Sequence, residues 1–366
     1  MNAKKIIISG GGTGGHIYPA VAIANELREQ NPEIEILFVG AEGKMEMEKV
    51  PREGYKIVGL PIAGINRSNL LANINFPFKV INSLRIARRV IKDFAPDAVV
   101  GVGGYASGPT LMAAGWMGIP TLIQEQNSYA GVTNKLLAKR AKKICVAYPN
   151  MEKFFPSEKI LITGNPVRKD ISESKITKEI ASEKFGLSPE KTTVLIIGGS
   201  QGARSINEAI LKDVHKIIAA DVQVIWQTGK GFLEKAQNAT EDIPKGKLHV
   251  AEFIYDMPAA YAAANLVASR AGALSVSELS LVGKPVILVP FPHAAEDHQT
   301  QNAMSLVNAD AAKLVLDKAA DTELVAEILA LADDVKLQEK LARKILKFVK
   351  PDAGINIASE VLKICK

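Results

Sequence analysis

An α/β architecture of two doubly wound parallel-sheet units follows from three observations. Short β-branched runs alternate with segments of helical period along the chain, the pattern of parallel strands joined by crossover helices. At 366 residues the chain is longer than one hydrophobic core fills, since single cores stop growing near ~250 to 300 residues. Twice, an apolar strand runs directly into a glycine turn that opens a helix, at GGGTGG (Gly10–Gly15) and at GGSQGA (Gly198–Ala203).

In the first unit the runs at Lys5–Ser9, Ile34–Val39, Ala98–Val102, Pro120–Ile123 and Lys143–Val146 read as strands with helices between them. The uncharged stretch Ala98–Gln124 is long enough on paper for a bilayer span of about 20 apolar residues. Its six glycines, with Pro109 and Pro120, make it a strand, a glycine loop, a helix and a strand instead. After the turn-rich TGNPVR (Thr163–Arg168) and a charged helix, the pattern restarts with TTVLIIGGSQGARS. Strands near Val222–Trp226, Leu266–Ala268 and Pro285–Val289 follow. The expected domains are 1–164 and 165–345, with a C-terminal helix in 346–366 after the break at Pro351. Pattern alone leaves open whether that helix packs on the second unit or returns to the first.

Composition narrows the function classes. With 47% hydrophobic and 23% charged residues the chain is neither disordered nor fibrous. A net charge of +6 and a pI near 9.0 suit anionic partners without the density of a nucleic-acid coat. The two cysteines, Cys145 and Cys365, have no C-x-x-C spacing, so neither a disulfide scaffold nor a zinc site is indicated and a reducing compartment is expected. The start, MNAKKIIISGGG, has too short an apolar run for an export signal.

The glycine turns carry the chemistry. Gly10–Gly15 lets backbone approach a ligand closely, and the helix that follows offers N–H groups and a positive dipole end to a phosphate or pyrophosphate. His16 and Ile17 stand where a Walker A loop needs lysine and a hydroxyl, so NTP hydrolysis is disfavoured. The letters satisfy G-x-G-x-x-G, and a nicotinamide-dependent dehydrogenase is one alternative, with Glu42 as a poorly placed ribose acid. A turn that is merely tight is the blander one. His16, at a helix N-terminus that disfavours its protonated form, suits a general base, although a structural histidine satisfied by backbone fits the same position. GVGGYASGP (Gly101–Pro109) offers a second anion cradle, with Ser107 as a hydroxyl donor. SRAGALSVSEL (Ser269–Leu279) places a helix N-terminus for a pyrophosphate and Glu278 for ribose hydroxyls, unless that Glu is only solvated. In PFPHAAEDHQTQNA (Pro290–Ala303), His293, Glu296, Asp297 and His298 lack a metal-ligand spacing, while Gln299 and Gln301 can bind sugar hydroxyls. Ligands bind at the carboxyl ends of strands in such folds, so two units facing each other are expected to share one cleft.

Between Asn73 and Lys92 there is no acidic residue. Arg85, Arg88, Arg89 and Lys92 fall on one helical face beside an apolar face of Val80, Leu84, Ala87 and Ile91, with Lys79 preceding. Upstream lie the apolar Leu70, Leu71, Ile74, Phe76 and Phe78. Apolar side chains next to a basic stripe suit an anionic membrane surface, a plain solvated helix being the alternative. No aromatic platform accompanies the charge, so nucleic acid is not expected. A non-catalytic membrane adaptor built on this stripe remains a third class.

GGGTGGHIYPA, GVGGYASGP, QEQNSYAG, GNPVR, GGSQGARSIN, SRAGALSVSEL and PFPHAAEDHQTQNA occur together and in order. On these motifs the chain resembles, from first strand to last helix, the undecaprenyldiphospho-muramoylpentapeptide β-N-acetylglucosaminyltransferase family of peptidoglycan synthesis. The resemblance implies two Rossmann-like domains of GT-B type. It further implies inverting transfer of N-acetylglucosamine from UDP-N-acetylglucosamine to the muramoyl 4-hydroxyl of lipid I, giving lipid II, at the cytoplasmic face of the bacterial inner membrane. Carried over position by position, the donor meets Thr13, Gly14, Gly15, Asn127, Arg168, Ser200, Ile254, Ala273, Leu274, Ser275, Val276, Ser277, Glu278 and Gln299. Within that set Ile254 meets uracil, Glu278 ribose, Ser200 and the Ala273 helix start the pyrophosphate, and Gln299 the sugar. The acceptor pyrophosphate faces Gly12, Gly103, Gly104, Tyr105 and Ser107, and the surface from Ile74 to Trp116 touches lipid. His16 is the expected base, with Glu125 as the other candidate. No cofactor is expected, and no metal clamp of the GT-A kind either, since no Asp-x-Asp occurs and a helix terminus with Arg168 can take that role. Cell-wall synthesis proteins are expected as partners. Ser275 and His298 stand where some relatives carry Thr and Gln, swaps that keep hydrogen-bonding ability. A UDP-N-acetylglucosamine 2-epimerase or a glycolipid glycosyltransferase is the nearest alternative on such a scaffold.

Overall fold

A computed structural model describes residues 3–64 and 74–365. The chain forms two compact units, Met1–Arg168 with Lys350–Lys366, and Lys169–Val349.

In the first unit, seven strands form one parallel sheet: β1 Lys5–Ser9, β2 Glu35–Ala41, β3 Lys56–Leu60, β4 Ala98–Gly101, β5 Thr121–Glu125, β6 Lys143–Val146 and β7 Ile160–Ile162. Their order across the sheet is β3-β2-β1-β4-β5-β6-β7. Between them run α1 Gly14–Gln30, α2 Glu46–Arg52, α3 Phe76–Phe94, α4 Ser107–Trp116 and α5 Val132–Leu137. The sheet is covered on both faces, which explains why its central strands are unbroken apolar runs. Ile6 and Ile8 of β1 pack with Ile17, Val21 and Ala24 of α1. Ile7, pointing the other way, packs with Ala87 and Ile91 of α3 and Ala113 of α4. The uncharged stretch after Asp97 is β4, α4 and β5, and among the described residues no helix is long and apolar enough to cross a membrane.

The second unit repeats the plan with six parallel strands: β8 Thr193–Ile197, β9 Gln223–Gln227, β10 Leu248–Ala251, β11 Leu266–Ser269, β12 Val286–Leu288 and β13 Lys313–Leu314. Their order is β10-β9-β8-β11-β12-β13. Its helices are α6 Lys169–Ser172, α7 Lys178–Lys184, α8 Arg204–Ala219, α9 Leu233–Asn238, α10 Met257–Ala263, α11 Ala273–Val282, α12 His298–Val307, α13 Ala320–Asp333 and α14 Val335–Ile345. The last helix, α15 Ala353–Ile364, belongs to the first unit. There Ile357, Ala358 and Val361 enter the same core as α1, and Gln30 Nε2 donates to the Ile355 carbonyl at 3.1 Å.

Both sheets therefore have the doubly wound order in which the third, second and first strands run one way from the centre and the fourth onward run the other. The direction reverses between β1 and β4, and again between β8 and β11. Loops leaving the carboxyl ends of those pairs diverge and open a crevice, where ligands of such folds bind. The glycine turns lie on those loops.

Candidate active site

At the reversal point of the first sheet, the turns after β1 and β4 touch backbone to backbone. A Cβ on Gly104 would lie 2.2 Å from the Gly11 carbonyl oxygen, and Gly104 sits at φ +86, so only glycine allows this approach. Thr13 precedes α1 in an extended conformation and makes no side-chain cap to the helix. Its Oγ1 instead lies 3.3 Å from His16 Nδ1. That contact orients the half-buried ring, whose Nε2 reaches within 2.9 Å of where a Cβ on Gly103 would stand. Thr13 and Gly15 are exposed, Gly14 is half-exposed beside Tyr18, and the Tyr105 ring, 47% exposed, lies on Gly64 and next to Gly12.

Two residues expected to face the acceptor diphosphate are otherwise engaged. Ser107 is fully buried and its hydroxyl donates to the Ser9 carbonyl at 3.1 Å, tying α4 to β1. The Gly12 N–H donates to Glu46 Oε2 at 2.8 Å.

Glu125, the last residue of β5, is 2% exposed. Its carboxylate accepts from Asn127 N–H at 3.0 Å, Gly131 N–H at 3.0 Å and Asn134 Nδ2 at 2.9 Å. Burial nevertheless dominates and raises its pKa above the usual glutamate value, the hydrogen bonds opposing. Asn134 Oδ1 is buried with no hydrogen-bond partner in the structure. Gln126 Nε2 donates to the Val102 carbonyl at 2.7 Å, Gln124 Nε2 to Asn165 Oδ1 at 2.9 Å, and Asn165 Nδ2 to the Gln126 carbonyl at 3.0 Å. This buried network fastens the GNPVR segment to the loop that carries Asn127, and Arg168, the last residue of that segment, is half-buried.

The second unit holds a cavity of about 570 Å³ at its own reversal point. The turn after β8 (Gly198, Gly199, Gly202), the start of α8 (Arg204, Ser205), the β11–α11 junction (Arg270, Gly272, Ser275) and the segment Phe291–His293 with Gln299 surround it. The turn is packed so closely on the exit of β9 that a Cβ on Gly202, at φ +75, would lie 2.0 Å from the Thr228 carbonyl. Gly272 caps α11 without a side-chain hydrogen bond, so the first-turn amides of this helix have no side chain cap and suit an anion. Arg270 lies at the edge of the cavity, 9% exposed, with Nη1 on the Val289 and Pro290 carbonyls at 3.1 and 3.2 Å and on Asp317 Oδ1 at 2.5 Å. Its Nη2 donates to Ser205 Oγ at 3.1 Å, and the guanidinium lies 5.4 Å from the Phe291 ring centroid.

Of the donor residues expected in this unit, Ser275 and Gln299 line the cavity, and Gln299 Oε1 accepts from the Phe291 N–H at 3.0 Å. Ser200 is exposed on the glycine turn. Ala273, Leu274, Val276, Ser277 and Glu278 lie along α11. Ala273 and Val276 are buried, Ser277 Oγ donates to the Ala273 carbonyl at 3.0 Å, and Glu278 accepts from Tyr261 Oη at 3.1 Å. Ile254 is buried with its N–H on Gln227 Oε1 at 2.9 Å, while Gln227 Nε2 donates to the Gly199 carbonyl at 3.0 Å. One glutamine thus couples the glycine turn to Ile254. Thr13, Gly14, Gly15, Asn127 and Arg168 belong to the first unit. Among the described residues no three His, Cys, Asp or Glu side chains are grouped to hold a metal ion.

On the α3 side of the first unit, Ile74 and Phe78 are 68% and 72% exposed and Phe76 is half-buried. Lys79, Arg85, Arg88, Arg89 and Lys92 are exposed, while Ala87 and Ile91 are buried. Ile81 and Trp116 add further exposed apolar surface, Trp116 from the end of α4, which packs on α3. Leu70 and Leu71 lie outside the described residues. Glu46 and Arg270 are the residues that sequence reasoning passed over, for each is a single charged side chain whose partner is distant along the chain.

The family model described as glycosyltransferase family 28 N-terminal domain matches residues 6–146, and that of the C-terminal domain matches residues 193–353. The chain is 56% identical over 363 residues to the UDP-N-acetylglucosamine--N-acetylmuramyl-(pentapeptide) pyrophosphoryl-undecaprenol N-acetylglucosamine transferase of Phocaeicola vulgatus, covering 98% of this chain and 96% of that one. The protein of the same name from Parabacteroides distasonis is 55% identical over 364 residues, covering 100% and 99%. Among solved structures, MurG of Acinetobacter baumannii superposes with a TM-score of 0.79 at 30% identity, over 98% of this chain and 99% of that one. A UDP-GlcNAc 2-epimerase from Neisseria meningitidis, at 19% identity and a TM-score of 0.68 over 98% and 100%, shares the fold alone. Matched by both domain models, and along its whole length by these relatives, the chain belongs to glycosyltransferase family 28.

Proposed function

We infer that this glycosyltransferase moves N-acetylglucosamine from UDP-N-acetylglucosamine to the muramoyl 4-hydroxyl of undecaprenyl-pyrophosphoryl-MurNAc-pentapeptide, forming lipid II. The observation that carries the reading is the cavity beside the uncapped start of α11, bordered by Arg270 and the Gly198–Gly202 turn. Backbone amides and a fixed guanidinium suit a diphosphate, and the volume suits a sugar nucleotide. Ser275 and Gln299 supply polar contacts, Glu278 meets the ribose further along α11, and the Ile254 backbone meets uracil.

Inverting transfer forms the bond from the acceptor oxygen to the anomeric carbon on one face of the sugar while the bond to the diphosphate oxygen breaks on the other. The electron pair leaves with UDP, where amides at the helix start stabilise it. The hydroxyl proton goes to His16, whose ring is held at Nδ1 by Thr13 and presents Nε2 beside the β4 turn. Glu125, closed in by Asn127, Gly131 and Asn134, supports the acceptor loop in this reading. The exposed Ile74, Phe78 and Trp116, with Arg85, Arg88 and Arg89 beside them, suit a peripheral hold on an anionic membrane where the lipid-linked acceptor resides.

The test is transfer of labelled N-acetylglucosamine from UDP-N-acetylglucosamine to a lipid I analogue in detergent. Equimolar UDP and a labelled disaccharide lipid are expected. Conversion of the nucleotide sugar without acceptor, or no binding of UDP, would overturn the reading.

A further inference from the structure

We propose that Glu46 is a positioning residue for the transfer, an internal anion that locks the first glycine turn and through it holds His16 in place. It opens α2, 34 residues along the chain from Gly12, and is 1% exposed. One carboxylate oxygen accepts the Gly12 N–H at 2.8 Å and the other the Ala41 N–H at 2.9 Å. Gly12 follows β1 and Ala41 ends β2, so one side chain joins the exits of two neighbouring strands. The surrounding backbone is shaped to admit it. A Cβ on Gly11 would lie 2.2 Å from Glu46 Cδ, and one on Gly40 would lie 2.6 Å from its Cγ. A glycine in the turn after β1 and another on β2 thus leave the volume that this carboxylate fills.

A Gly-Gly-Gly turn left to itself samples many conformations, and each would place Thr13 and the His16 ring differently. With Gly12 pinned by a charge-assisted hydrogen bond, the turn has one arrangement, and the amides left for an arriving diphosphate are those of the first turn of α1.

This inference rests on the transferase reading, and the experiment separates the two. In the full chain, Glu46→Gln keeps the shape but turns one acceptor into a donor facing an N–H, and Glu46→Asp keeps the charge but shortens the reach. Each variant is compared with the parent for acceptor and donor kinetics with a lipid I analogue, for UDP affinity by calorimetry, and for amide hydrogen exchange of Gly10–His16. The expected result is a fall of tenfold or more in kcat/KM for the acceptor, carried by kcat, with UDP affinity and donor KM within twofold. Exchange in Gly10–His16 is expected to quicken while the second unit is unchanged. A fall in kcat/KM of less than tenfold, a fall matched by lost UDP affinity, or unaltered exchange in that segment overturns the proposal. If Glu46→Gln does not fold, Glu46→Asp is judged by the same criteria. A parent protein without transfer activity would sink the transferase reading instead, and the exchange measurement would still decide whether Glu46 holds the turn.

Discussion

Replacing Arg270 by methionine should destabilise the second unit by about 3 kcal/mol. The side chains of Arg270 and Asp317 are only 11% and 22% exposed. An exposed ion pair contributes ~0–1 kcal/mol, whereas removing one partner of a buried pair costs roughly 3–5 kcal/mol because the other charge is left without compensation. Partial access of Asp317 to solvent places the expectation at the lower end. The Val289 and Pro290 carbonyls and Ser205 Oγ lose their donor as well, and methionine returns only the apolar packing of the arginine stem. For a unit of this size, 1 kcal/mol moves Tm by about 2–4 °C, so a fall of roughly 6–12 °C is expected. Differential scanning calorimetry of the whole chain reads it, with added UDP identifying the transition of the unit that binds it. Arg270→Lys, which keeps the charge but not the planar fork, should fall between parent and Arg270→Met. A shift below about 3 °C for the methionine variant would mean that the pair is screened like a surface contact, and the argument from burial would fail.

His16→Ala should lower kcat by roughly 10² or more, the scale of a lost general base, with UDP affinity within twofold; near-normal turnover would remove His16 from that role. For Glu125 the sign follows from burial: its folded-state pKa is raised, so the folded state holds its proton more tightly than the unfolded state. Stability from this group is full below the unfolded pKa and lost as pH rises through the folded one, at no more than about 1.4 kcal/mol per pH unit. Urea unfolding of parent and Glu125→Gln at several values from about pH 4 to pH 8 should show that extra downward slope in the parent alone, and parallel curves would contradict it. The double substitution Arg88→Gln, Arg89→Gln should weaken binding to vesicles containing anionic lipid by about 2 kcal/mol, near thirtyfold, without changing binding to neutral vesicles. Equal affinities in cosedimentation would rule out the α3 surface as the contact.

The strands legible in the sequence and those that were not differ by position in the sheet. Inner strands such as β1, β4, β8 and β11 carry a central apolar run because both of their faces are covered. The four passed over, β3, β7, β10 and β13, are the outermost strands of the two sheets. Leu161 and Ile162 of β7 are exposed, and β10 and β13 contain no fully buried residue, so burial leaves little pattern to read there. At the site, the glycine turns are legible because positive φ and backbone contact, as at Gly104 and Gly202, demand glycine. Ser107 misleads for the opposite reason. A serine after a glycine loop reads as a phosphate donor, and only the packing of α4 against β1 reveals that its hydroxyl points inward. Glu46 and Arg270 stay hidden since their partners, Gly12 and Asp317, are joined to them by folding and not by spacing.

The return of α15 to the first unit has a consequence for biosynthesis. Ile357, Ala358 and Val361 belong to the same core as Ile6, Ile8 and Ile17, so the amino-terminal half cannot complete its interior while the ribosome is still translating the remainder. The second unit, contiguous from Lys169 to Val349, has no such wait. The part of the molecule made first is therefore the last to become whole, and until then the bare flank of α1 is apolar surface that a chaperone would recognise.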